Sequence, residues 1–232
     1  MPVNACRWTV LRVFVAIPVS GASLRAIVLL SLTAATASAQ LEPSCVANSP
    51  ERRGEIGCSI VEIKPLPETV KGSLYWHIDR FESGERARAA AGPASIALDA
   101  HGAWWLLTIE SGVADHHGGE HVTQVGLPEL PPAPRYSMLV ISAYVPSGMT
   151  SRLHTHSGVE AFYVVDGAQC LETPAHAYRM EKGGSLAVPA GMPMRLVATG
   201  PTPRHALAVI VYDTAKPPTT RMETGPELVS CM

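Results

Sequence analysis

His154, His156 and Glu160 are the residues of this sequence whose types and spacing can do chemistry together. Side chains alternate faces along a strand, so His154 and His156 project to the same side. Ser157-Gly158 can then turn the chain and let Glu160, at the start of the next strand, point at the same spot. Two imidazoles and a carboxylate that converge form a borderline-to-hard metal site, suited to iron, manganese, zinc or copper. A bare histidine pair on a strand is more often structural. The glutamate at a fixed offset and the flanking Gly148 and Gly167 set this trio apart.

The spacing is Gly148, five residues, His154, one residue, His156, three residues, Glu160, six residues, Gly167. It resembles the first signature of the cupin superfamily. Gly183, Pro189 and Gly191 match the second signature, but Met194 stands where that signature has its metal-binding histidine. The resemblance spans about residues 136–212 and implies a jelly-roll barrel. It also implies that His154, His156 and Glu160 are metal ligands and that Met194 occupies the fourth ligand position. A thioether is a soft ligand that suits copper and adds little to iron or manganese.

Three readings therefore stand side by side. The trio holds iron or manganese, or zinc, with open positions for a small molecule; or Met194 joins a copper site; or the polar cluster lines a metal-free pocket. The corresponding functions are a metal-dependent oxygenase or isomerase acting on a small molecule, and a non-catalytic ligand-binding or sensing module. The sequence as a whole resembles exported bacterial cupin-domain proteins, and the resemblance implies a homodimer.

These residues need a scaffold of strands. Gly and Pro together number 39, and short Val/Ile/Leu runs end at them, which argues for many short strands and against a helical bundle. The expected fold is mainly β: a cupin-like antiparallel β-barrel at 135–215, preceded by a small N-terminal α+β extension at 40–134. Pro128 to Pro134 forms the connector between them. Strands are expected at Tyr136–Val145, Ser151–His156, Glu160–Val165, Ala168–Leu171, Ser185–Val188, Met194–Ala198 and Ala206–Tyr212. Asp166-Gly167 reads as a hairpin turn, and Phe162 shares a face with Glu160. In the extension, strands are expected at Val61–Ile63, Ser73–Ile78, Ser95–Leu98 and Ala103–Ile109, with one helix at Phe81–Ala91. Glu110–Gln124 reads as a loop, residues 40–60 as an irregular arm and 216–232 as a loose tail. Core packing is the expectation for Trp76, Trp104 and Trp105.

Residues 1–39 carry Arg7, Arg12 and Arg25, no acidic residue, an apolar run from Ala26 to Leu32 and a small-x-small end at Ala37-Ser38-Ala39. That is the pattern of a cleaved signal peptide, so the mature protein is expected to be periplasmic or secreted. The alternative is an uncleaved anchor using Val10–Val19. Cleavage leaves 15 basic against 20 acidic residues, a net charge of −5. Without a Lys/Arg cluster beyond Arg52-Arg53, no nucleic-acid partner is expected, and no stable membrane insertion follows cleavage. In an oxidising compartment Cys45, Cys58, Cys170 and Cys231 allow three pairings; a local Cys45–Cys58 bridge is the favoured one, leaving Cys170 as a small buried residue. His116, His117 and His121 form a weaker cluster in the polar loop, whereas His77, His101, His176 and His205 lack spacing partners. No nucleophile elbow, P-loop or dinucleotide fingerprint occurs.

Overall fold

The computed structural model describes residues 40–41, 46–47, 57–112 and 118–231. The signal segment, Cys45, His116 and His117 lie outside the described residues. The chain runs β1 (Gln40–Leu41), β2 (Val46–Ala47), β3 (Gly57–Pro65), β4 (Leu74–Phe81), α1 (Gly84–Ala90), β5 (Ser95–Ala100), β6 (Ala103–Ser111), β7 (Glu120–Gly126) and β8 (Tyr136–Val145). It continues through β9 (Thr150–Ser151), β10 (His154–His156), β11 (Val159–Asp166), β12 (Ala168–Glu172), β13 (Ala177–Glu181), β14 (Ser185–Val188), β15 (Arg195–Thr199), β16 (Arg204–Asp213) and β17 (Thr219–Arg221).

The apolar runs of β8, β11 and β16 explain the architecture. A strand covered on one face alternates apolar and polar residues, whereas one covered on both faces stays apolar throughout. These three strands lie together in a six-stranded sheet of order β14-β11-β16-β8-β3-β2. Alternate residues serve two separate cores. Met138 and Val140, Val159 and Ala161, and Leu207 and Val209 pack with Trp76, Ile96, Leu107 and Ile109 of a four-stranded sheet, β5-β6-β4-β7. The intervening Leu139, Ile141, Phe162, Ala208 and Ile210 pack with Leu171 and Leu196 of a five-stranded sheet, β1-β9-β15-β12-β13. Each fully buried Leu, Ile or Phe contributes roughly 1.5–3 kcal/mol by leaving water, so both interfaces stabilise the stack. Helix α1 is capped by Ser83, whose Oγ accepts from the Arg86 N–H, and covers the outer side of the four-stranded sheet through Ala87.

Among the described residues the fold is mainly β, 56% strand and 4% helix, with mostly antiparallel pairing, and it fits the cupin jelly roll; the sheets do not close into the expected barrel. The Asp166-Gly167 turn is not a hairpin: β11 and β12 belong to different sheets, so the turn carries the chain around a corner. Gly167 has φ +75°, and a Cβ there would lie 2.3 Å from the Pro203 carbonyl oxygen, so only glycine makes this corner.

Two edge strands escaped the sequence pattern. β7 lies in the expected loop, on the rim of its sheet, with Val125 as its one buried residue; β13 likewise buries only Met180. Strands that bury one side chain lack the apolar alternation that marks a strand. β3 begins inside the expected arm and pairs along its length with β8. Trp76 and Trp105 are buried in the core between the four- and six-stranded sheets.

The C-terminal tail is not loose. β17 pairs antiparallel with β10, the Val229 N–H donates to the Thr173 carbonyl at 2.9 Å, and Cys231 is disulfide-bonded to Cys170. Cys170 is thus a disulfide partner, not merely a small core residue. Cys58 is also disulfide-bonded. The Cys170–Cys231 bridge closes a separation of 61 residues. On loop-closure entropy a bridge of that span stabilises by roughly 4 kcal/mol. Among the described residues no helix is long and apolar enough to cross a membrane.

Candidate metal centre

The local sequence places the two histidines by strand parity. In β10, His154 and His156 are buried while Thr155 between them faces the other way. β17 pairs His156 with Thr219, and His154 lies directly opposite Met194, joined by two backbone hydrogen bonds of 2.9 and 3.1 Å. Residues directly opposed on neighbouring strands share a face. Met194, 1% exposed, therefore stands beside His154 and lines the same cavity.

Glu160 comes from β11, next to the edge strand β14 of the six-stranded sheet, where it pairs with Val188 on one side and Ile210 on the other. The turn that delivers it depends on Gly158. A Cβ there would stand 2.0 Å from the Val211 carbonyl oxygen, so no larger residue lets β11 approach β16.

Backbone carbonyls fix both rings. His154 Nδ1 donates to the Arg152 carbonyl at 2.8 Å. His156 Nδ1 donates to the Pro218 carbonyl at 3.0 Å, with Thr219 Oγ1 also 3.0 Å away. These acceptors assign the proton to Nδ1 and leave each Nε2 lone pair as the ligating atom, the usual support for a metal-binding histidine. His156 Nε2 lies 3.0 Å from Glu160 Oε2, yet both atoms are buried and misaligned for a hydrogen bond. A neutral imidazole lone pair and a carboxylate oxygen placed this close fit a shared cation. Ligand atoms of all three residues lie within 4.8 Å of one another. Atoms bound to one first-row ion at about 2.1 Å stand roughly 3–4 Å apart, so the trio fits such an ion with small side-chain adjustments.

Electrostatics separates the two histidines. Burial, then the neighbouring charge of His156, holds the His154 pKa below its ordinary value. Burial also opposes charging of His156, but the Glu160 carboxylate and the Pro218 carbonyl outweigh it and raise its pKa.

The trio opens into a cavity of about 200 Å³. Its walls are largely apolar, with Ile141, Phe162, Leu171, Leu196, Ala208 and Ile210 contributing. Phe162 thus shares the cavity with Glu160, as strand alternation implies. At the other end is Arg204, 3% exposed, a residue the sequence reading passed over. The signal for it was parity: Arg204, Ala208 and Ile210 are even-numbered positions of one strand.

The other histidines lie elsewhere. His121 Nδ1 is 3.0 Å from Asp79 Oδ1, and His77 is fully buried on the four-stranded sheet. His101 and His205, which lack any spacing relation, meet through their Nδ1 atoms at 3.2 Å. Those contacts join segments distant in sequence, which no local motif reveals.

A double layer of antiparallel sheets enclosing two histidines and a glutamate defines a cupin fold with a candidate metal centre. Comparison with known families agrees: residues 140–210 match the model described as a cupin domain. Among solved structures, the chain is similar to the DMSP lyase DddQ from Ruegeria pomeroyi, at 20% identity and TM-score 0.34, covering 39% of this chain and 45% of that one. It is similar to an uncharacterized conserved protein with a double-stranded beta-helix domain from Klebsiella pneumoniae, at 17% identity and TM-score 0.34, covering 38% and 76%. It is also similar to the polyketide cyclase RemF from Streptomyces resistomycificus, at 21% identity and TM-score 0.32, covering 40% and 64%. The matched part thus spans less than half of the lyase and just under two thirds of the cyclase. A search of curated proteins found no match.

Proposed function

We propose that this protein binds a small molecule in its cupin cavity at a divalent metal ion held by His154, His156 and Glu160. The observation that carries the reading is the paired anchoring of both Nδ1 atoms, which turns two Nε2 lone pairs toward a buried carboxylate. With three protein ligands an ion keeps positions open for an exogenous ligand. A bound divalent ion would supply Lewis acidity, and iron in particular would add reactivity toward oxygen. The chain's own contribution is to hold the ligand in a small apolar space, exclude water and fix the orientation of both imidazoles through their Nδ1 atoms. Iron or manganese suits this donor set, and zinc or copper also binds imidazole.

One observation favours a second reading. His156 and Glu160 lie 3.0 Å apart, and the raised pKa of His156 lets the two form an ion pair in a metal-free pocket. That pocket would serve a binding or sensing module without turnover. Metal analysis of protein purified without added metal separates the two, followed by an oxygen-uptake screen with small organic acids and phenols. Stoichiometric iron or manganese supports the first reading. A protein that neither retains nor binds iron, manganese, zinc or copper overturns it.

Export through cleavage after Ala39 belongs to the same proposal. The basic-then-apolar segment supports it, as do the disulfide-bonded cysteines Cys58, Cys170 and Cys231, since such bonds persist in oxidising compartments. An exported protein whose N-terminus reads Gln40 is the expected result; a chain retained with residues 1–39 attached overturns it.

A further inference from the structure

Arg204 is no part of the His154–His156–Glu160 trio, yet it is among the most unusual residues of the cavity. It is buried to 3% exposure, and its Nε–H donates to Oε1 of Gln169, itself fully buried. Gln169 is neutral, and no carboxylate of the described residues lies within ion-pair distance of the guanidinium. A buried cation without an anion is costly, and an anion arriving from outside would relieve that cost. Burial lowers its pKa to about 10, with the Glu160 charge opposing, so the group stays charged at neutral pH.

Strand register shows where that charge points. Glu160 pairs with Ile210, and Phe162 pairs with Ala208. Arg204 lies on the same face of the same strand, six residues from Ile210. At about 3.3 Å per residue the two backbone positions are roughly 20 Å apart, a gap that the long arginine and the glutamate narrow from both ends. Ile210, Ala208 and Phe162 floor the space between. The cavity is therefore bipolar: liganding atoms at one end, a fork of N–H donors at the other, apolar wall between. Glu160 is the one acidic residue among its lining residues, so with a divalent ion in place the cavity carries net positive charge.

We infer that the ligand of this cavity is a small organic acid whose carboxylate is received by Arg204, across an apolar spacer from the His154–His156–Glu160 end. Guanidinium presents paired N–H donors that match a carboxylate in a bidentate fashion. Gln169 holds the fork in place through Nε and leaves the terminal nitrogens for the ligand. The volume of about 200 Å³ lies below the range typical of drug-sized ligands, which restricts the acid to roughly the size of a single aromatic ring or a short chain. The inference rests on the proposed ligand-binding role of the cavity and adds the chemical class of the ligand.

Benzoate and its neutral isostere benzamide test it, titrated calorimetrically into protein stripped with EDTA so that metal binding does not enter. Wild type is expected to bind benzoate at least tenfold more tightly than benzamide. Arg204→Gln is expected to lose that preference, with benzoate weakened at least tenfold more than benzamide. Arg204→Lys keeps the charge without the fork and is expected to retain part of the preference, which covers a failure of the glutamine variant to fold. A separate Mn²⁺ titration of Arg204→Gln is expected to match wild type. Mn²⁺ binding that fails while the benzoate preference stands removes the metal reading and leaves this one. Benzoate bound no better than benzamide by wild type, or bound equally by wild type and Arg204→Gln, overturns it.

Discussion

The six-stranded sheet works differently on its two faces. Toward the four-stranded sheet it presents Val140, Val159, Leu207, Val209 and Val211, all fully buried and packed against Trp76, Leu107 and Ile109. Toward the five-stranded sheet the same strands leave a cavity and place Glu160 and Arg204 in it, among Phe162, Ala208 and Ile210. The strands are shared, so the backbone does not distinguish the faces; residue parity does. One face is filled to the density of a normal interior, and its rigidity keeps the strands at fixed spacing. The other tolerates a void and buried charges because its partner holds it in place. A site of this kind is built by leaving one side of a well-braced sheet unfinished.

The most damaging change is expected where the chain steps from β10 into that sheet. Gly158→Ala puts a Cβ 2.0 Å from the Val211 carbonyl oxygen, against backbone that cannot yield cheaply. A loss of more than about 4 kcal/mol is expected, the range reserved for such severe steric lesions. Circular dichroism melts of the variant would show little or no cooperative transition; a wild-type melt would mean that β11 does not approach β16 so closely.

The comparison between faces can be sharpened with matched truncations. Leu107→Ala removes a fully buried side chain from the packed interface and is expected to cost about 3 kcal/mol. Ile141→Ala widens a space that already exists beside an 8% exposed residue, so about half that loss is expected. Urea unfolding measures both, and equal losses would show that the two faces are equally filled.

The packed face also carries a titration. His101 Nε2 is 3.2 Å from both the Ala206 carbonyl oxygen and Ser142 Oγ. Burial lowers its pKa from 6.5 to about 4, against the pull of the Ala206 carbonyl. The native state thus resists a proton that the unfolded chain accepts. His101 should leave stability unaffected above pH 6.5 and lower it as pH falls from 6.5 toward 4, by on the order of 2 kcal/mol. His101→Asn, which tolerates the position's φ of 52°, should flatten that decline in a series of melts. An unchanged decline would place the responsible group elsewhere.

On the cavity face the smallest expected effect is a gain. Met194→His restores an imidazole directly opposite His154 and should tighten iron, manganese or zinc binding about tenfold, or about 1.4 kcal/mol. The melting temperature should then rise further with metal present, and His154→Ala should abolish the metal-dependent rise. Calorimetric titration of the variants checks this, and unchanged affinity would show that position 194 does not serve the ion.

The sequence carried those parts of the fold whose physics is local. His154, His156 and Glu160 fall within a single turn and two strand starts, and alternation alone put Phe162 beside Glu160. The residues that complete the site were hidden because their partners are remote. Pro218 and Thr219 act on His156 through the pairing of β17 with β10, and nothing in Lys216–Met232 marks a strand. Arg204 follows the same parity as Ala208 and Ile210, but its strand was expected to begin at Ala206, which left it in a turn. Gln169, its neutral partner, is contributed by the other sheet.

The anchoring of His156 by Pro218 spans 62 residues, and the disulfide that secures the same tail uses Cys231, near the C-terminal end of this sequence. On a chain made from its N-terminus, the two histidines and the glutamate are synthesised well before the carbonyl that orients one of them. β3, β8, β11 and β14 of the six-stranded sheet also precede that carbonyl in the chain, so until it is made His156 Nδ1 lacks its Pro218 acceptor. Its ligating geometry is completed only once Pro218, 62 residues further along the chain, has been made. Order of synthesis thereby puts the ligating residues ahead of the contact that orients one of them.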